Sequence, residues 1–170
     1  MRALAAVLAV VLVACQVAPV ETPDPAAIPS GSLEPGEQAP IGPIIEVGSG
    51  STAGVGWRFA AYESASGWCM QLETQTSSET GCGDPLPTED EPFGFVSKGG
   101  TVVHGVASAE TATVFLILNG VGRVPATMMS LESAGIDAVA FVGVAPVDAE
   151  VTHVQAVKLN GDVLDSRELP

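Results

Sequence analysis

Cysteine, carboxylate and histidine are the residue types whose spacing in this sequence could do chemistry. Cys69 and Cys82 bracket the stretch Met70 to Gly81. They are expected as a disulfide; a redox or metal pair is the alternative, but the C-x-x-C spacing is absent and no His or third Cys lies near in sequence. A bridge over so short a loop stabilises by roughly 3 kcal/mol in the chain-entropy account. Asp84, Glu89, Asp90 and Glu91 form an acidic run broken by Pro85, Pro87 and Pro92, hence a loop. Hard oxygen ligands in a loop suit Ca²⁺, which makes these four the candidate cation ligands. The D-x-D-x-D-G spacing is missing, so a solvated loop that meets a basic partner is the competing reading. His104 and His153 could serve a metal or act as a base if the fold brings them together. Gly48-Ser49-Gly50-Ser51-Thr52-Ala53 fits G-x-G-x-x-A in letters only. That motif works between a buried strand and a helix N-terminus, whereas a Pro-rich stretch precedes it here and a strand is expected after it. No G-x-S-x-G occurs, so the nucleophile-elbow signature of a serine hydrolase is missing. No cofactor and no catalytic residue is assigned from the sequence.

The elements that must position these residues begin with a leader. Met1-Arg2 supplies one positive charge, and Ala3 to Val13 is an unbroken run of Ala, Leu and Val. That run is too short for a bilayer-spanning helix, which needs roughly 20 apolar residues, and fits the apolar stretch of a secretion signal. It ends Leu12-Val13-Ala14-Cys15. This tetrapeptide resembles the lipobox of bacterial lipoproteins. The resemblance implies cleavage after Ala14, a diacylglyceryl group on the Cys15 sulfur, and an extracytoplasmic chain anchored to the cell membrane or envelope. Two or more acyl chains make such attachment lasting. Gln16 stands after the cysteine where Asp would imply retention at an inner membrane.

Residues 15–53 are expected as a disordered tether. The stretch after Cys15 is rich in Pro, Gly, Ala and acid and carries no Lys or Arg, so it cannot bury enough apolar surface to offset chain entropy. Extended at about 3.1 Å per residue, it would reach on the order of 100 Å.

From residue 54 to residue 170 the texture is of short apolar runs broken by turns. Trp57, Phe59 and Ala61 alternate onto one face, as do Trp68, Met70 and Leu72, and the two runs read as an antiparallel hairpin. The three aromatic residues are expected in the core rather than as a sugar-binding platform, with Tyr62 on the opposite face. Phe93–Val96 and Thr101–Ala107 are further strands, the latter with His104 on the face of Val102 and Val106. Val114–Leu118 and Val154–Leu159 each run into Asn-Gly, which favours a type I′ hairpin turn. Asp137 is followed by an apolar run, Ala138 to Val144, whose apolarity on both faces marks a central buried strand. His153 is placed on the face of Val151, Val157 and Leu159. Only Thr127 to Ala134 has helical character. The expectation is an all-β chain, an antiparallel β-sandwich of seven to nine strands. The segment in which VTHVQAVKLNGDVL follows FVGVAP resembles the closing strands of immunoglobulin-like and fibronectin-type bacterial surface domains, which implies an immunoglobulin-like arrangement and no activity.

Charge narrows the partners. Of 170 residues only 6 are Lys or Arg against 20 Asp and Glu, a formal net charge of −14; removing Arg2 (+1) with the leader leaves about −15. Phosphate backbones and anionic lipid heads are repelled, so nucleic acid is excluded as a partner. A protein or an envelope polymer is the expected partner, and the membrane is reached through the lipid alone. The leading expectation is an interaction module displayed on an anchor. The alternative is a small envelope enzyme or metal-dependent sensor that uses the acidic loop or the two histidines.

Overall fold

The computed structural model describes residues 38–83, 86–120 and 122–170. The leader, Cys15 and most of the expected tether, together with Asp84, Pro85 and Val121, lie outside them. Among the described residues there are twelve strands, β1 (Ile45–Thr52), β2 (Val55–Ser64), β3 (Gly67–Thr74), β4 (Ser78–Gly83), β5 (Phe93–Gly99), β6 (Val102–Ser108), β7 (Thr113–Leu118), β8 (Gly122–Pro125), β9 (Thr127–Ser130), β10 (Ala138–Val144), β11 (Val151–Val157) and β12 (Val163–Glu168). They form three antiparallel four-stranded sheets: A, in the order β1-β2-β3-β4; B, β5-β6-β10-β9; and C, β12-β11-β7-β8. The fold is all-β and sandwich-like. No helix among the described residues is long and apolar enough to cross a membrane.

Sheet B is the middle layer. On β10, Ala138, Ala140 and Val142 join β2 and β3 residues Trp57, Phe59, Ala61, Met70 and Leu72 in one apolar core. Phe141, from the other face of β10, joins Val114, Leu116, Val154 and Ala156 of sheet C in a second. On β6, Val106 enters the first core and Val103 and Ala107 the second. A strand covered on both faces has no polar side to present, which is why β10 is written Ala-Val-Ala-Phe-Val-Gly-Val. At Gly143 an added Cβ would come within 2.6 Å of the Leu116 side chain, so sheets B and C close there on a residue without one.

The strand count exceeds the expected seven to nine because three segments pair without an apolar alternation to announce them. β1 lies inside the stretch read as tether, so the ordered body starts before residue 54. Its Gly-Ser run is held by backbone pairing to β2 from Ile45↔Ala61 to Thr52↔Val55, and Gly50 leaves room for the Trp57 ring, which an added Cβ would meet at 2.9 Å. Upstream, the Ile41 N–H still donates to the Glu63 carbonyl at 2.9 Å. β4 occupies the expected disulfide loop. β9 occupies the first half of the segment expected to be helical; the helical part is one 3₁₀ turn, Glu132–Ala134. That turn brings Leu131, Ala134 and Ile136 into the A/B core as its end plug.

The turns also differ from expectation. At Asn160-Gly161 only the glycine has positive φ, 91°. The Gly161 N–H donates to the Lys158 carbonyl and the Lys158 N–H to the Asp162 carbonyl, a three-residue loop closed by a left-handed glycine. Asn119-Gly120 likewise has positive φ at the glycine alone. The two-residue turn with both central residues at positive φ is Ala53-Gly54, at 49° and 82°, between β1 and β2. Ala there carries a left-handed backbone that glycine or asparagine would adopt at lower cost.

Candidate functional site

Cys69 and Cys82 sit directly opposite each other on β3 and β4 and are joined, with Cα atoms 4.1 Å apart. The stretch between them is a hairpin rather than an open loop. Its turn is tied by Thr74, whose hydroxyl accepts from the Ser77 N–H at 3.0 Å. The staple fixes the outer edge of sheet A, and that edge forms one wall of a cleft.

The opposite wall is β5, the edge of sheet B. β4 and β5 cross closely because Gly81 has no side chain: an added Cβ would lie 2.6 Å from the Phe95 ring. Between these edges and the loop that leads into β5 opens a cleft of about 340 Å³. Trp68, Met70, Leu86, Phe93, Phe95 and Val106 make its apolar walls, with Glu91 and Arg167 as its charged members. Met70, Phe93 and Val106 are buried, Trp68 and Phe95 half-buried. The volume lies at the lower end of the range of small-ligand sites, roughly 300–1,000 Å³, and an apolar lining with a few polar groups is their usual composition.

Arg167 reaches the cleft from β12. Its two terminal nitrogens donate to the Gly94 carbonyl at 2.7 Å and the Phe93 carbonyl at 2.9 Å, and its guanidinium lies 5.3 Å from the Phe93 ring centre. It therefore caps outward carbonyls of an edge strand that would otherwise invite pairing by another chain, and ties sheet C to sheet B.

Behind the Phe95 wall lies His104. It is 1% exposed, edge-on to Phe59 at 6.2 Å and to Phe95 at 5.8 Å. Neither ring nitrogen has a hydrogen-bond partner among the described residues. The nearest carboxylate oxygen, Glu79 Oε2, stands 3.9 Å from Nδ1 and accepts from the Ser97 hydroxyl at 2.9 Å. Burial pushes the imidazole down to about 4, against a smaller upward pull from Glu79. His104 is neutral at pH 7, a consequence of desolvation.

The remaining sequence candidates are dispersed. His153 lies on β11 in sheet C, half-buried, with Nδ1 3.1 Å from the Thr152 hydroxyl. The expected face is wrong for a definable reason: a register shift between Val151 and His153 breaks the alternation, so Val151 and Val154 both point inward and His153 does not, while Leu159 sits in the exposed turn. His104 belongs to the other core layer, so the two histidines form no pair. In the acidic loop Glu89 accepts from Lys158 Nζ at 2.6 Å, and Lys158 also pairs with Glu110 at 2.9 Å. The Lys158 ammonium holds the Glu89 carboxyl below its usual range, and the two carboxylates raise the lysine. Asp90 and Glu91 are exposed. Among the described residues no group of three or more His, Cys, Asp or Glu side chains could hold a metal ion.

Trp68, on the core face of β3 by its alternation, packs against the A/B core. Leu86, Phe95 and Arg167 carried no signal in the sequence as site residues. Phe93 and Phe95, two apart, could have suggested one shared wall; the crossing of β4 and β5 that makes it a wall is a tertiary fact. Comparison with protein-family models, curated proteins and solved structures returned no match to this chain.

Proposed function

We propose that the protein is an exported, lipid-anchored binding module, held to the membrane through Cys15 and binding an apolar group in the cleft between β4 and β5. The single observation that supports this reading is the cleft itself, with apolar and aromatic walls beside a covalently fixed edge. The lipobox-like Leu12-Val13-Ala14-Cys15 supports the anchor. The partner is a protein or envelope component that presents a small apolar group.

Two measurements test the two halves. Intact mass of native protein extracted in detergent should show a chain that begins at Cys15 and carries acyl groups; an unacylated soluble chain would remove the anchor. Calorimetric titration with a neutral aromatic alcohol, 1-naphthalenemethanol, should give a Kd on the order of 0.1–1 mM, as expected for a fragment of about a dozen heavy atoms. Trp68→Ala should weaken binding at least fivefold. Binding that is indifferent to Trp68 would place the ligand elsewhere.

A further inference from the structure

We infer that the cleft selects ligands that carry a positive charge beside their apolar body, a refinement that rests on the binding reading above. Three observations on charge point the same way. Glu91 is the one carboxylate among the described residues of the cleft lining, it is exposed, and it forms no ion pair with any described residue. Its neighbour Glu89 is paired with Lys158 and exposed Asp90 is outside the cleft lining, so among the described residues Glu91 is the loop carboxylate that faces an incoming ligand. The cation on the wall, Arg167, keeps its charge but is held against the β5 backbone: one N–H of each terminal nitrogen donates to a β5 carbonyl, and the guanidinium carbon lies 5.3 Å from the Phe93 ring centre.

The third observation is the whole-chain charge of −14. A field of that sign raises the local concentration of cations and lowers that of anions, most strongly in a concave, low-dielectric site. The aromatic lining adds to the preference, because an aromatic ring face attracts an ammonium or guanidinium placed against it. The partner chemistry is therefore a basic segment of protein with an apolar side chain next to Lys or Arg. A phosphorylated or acidic ligand would meet Glu91 and the negative field of the chain.

A matched set of probes tests this on the full exported chain: 1-naphthylmethylamine, 1-naphthalenemethanol and 1-naphthaleneacetate at pH 7, titrated by calorimetry at low salt. The cation should bind about three- to tenfold tighter than the alcohol, and the acetate weaker than both. At 0.5 M salt, where screening acts within a few ångströms, the three should converge. In Glu91→Gln the ratio of cation to alcohol affinity should fall about threefold, and this exposed substitution should leave the melting temperature within a degree or two. Equal affinities at low salt, or tightest binding of the acetate, would overturn the charge preference and leave the cleft intact as a binding site. Absence of binding by all three would overturn the binding reading itself.

Discussion

Sheet B packs against sheet C on one side and against sheet A on the other, using alternate residues of the same two strands, β6 and β10. The interface with C is lined by apolar side chains, Val103, Phe141, Leu116 and Val154 among them, with Leu169 at its margin; Phe93 and Arg167 stand where it meets the cleft. The interface with A holds a buried imidazole with unsatisfied nitrogens, depends on a disulfide at the edge of sheet A, and stays open beside β4 as the cleft. One central sheet thus supports a closed core and an open one. The features suited to recognition lie on the second side.

The largest expected effects break the closed side. Phe141→Ala should cost about 3–5 kcal/mol and Leu116→Ala about 2–5 kcal/mol, since both are fully buried. Denaturant midpoints measure this directly. If either falls within about 1 kcal/mol of wild type, the B/C interface is not the closed core described. On the open side, reduction of Cys69–Cys82 should cost roughly 3 kcal/mol and should weaken binding of the neutral probe more than Leu116→Ala does under conditions where both proteins remain folded.

The pH dependence sharpens the same contrast. The unfolded chain protonates its imidazoles near the usual 6.5, whereas folded His104 does so only near about 4. Between those values the unfolded state binds more protons, so stability falls as pH falls. From pH 7 to pH 5 the loss from this group is about 2 kcal/mol, and His104→Leu should remove most of that slope. Glu89, held low by Lys158, adds a loss of the same sign at lower pH that this substitution leaves in place. Unfolding at the two pH values in both proteins decides it; an unchanged slope in the variant would mean that His104 is hydrated or paired. The smallest effect is expected at the cleft rim. Trp68→Ala should cost about 1–2 kcal/mol, less than a fully buried aromatic, because the ring is half-exposed already.

The all-β class, the β2–β3 hairpin, the central placement of β10 and the cysteine pair were legible because each is written in local pattern: alternation, apolarity on both faces, or a pair of thiols with no other partner. β1 was not legible, since its apolar alternation stops after Ile45 and Val47, which pack on the A/B core, and Gly-Ser-Gly-Ser continues the strand with no alternation. The face of His153 was misread because one register shift inverts parity. The cleft was hidden for a stronger reason. Its walls come from β3, β4, β5, β6 and β12, and what joins them is the missing side chain at Gly81 and the long reach of Arg167, neither of which leaves a mark in the spacing of apolar residues.

Methyl-resolved NMR during titration with 1-naphthalenemethanol tests the division between the two interfaces most directly. Met70 and Val106, at the A/B cleft, should shift progressively with probe, while Leu116 and Val154, in the B/C core, should stay within error of their free positions. Shifts of equal size in both sets, or shifts confined to Leu116 and Val154, would contradict an open recognition side and a closed structural one.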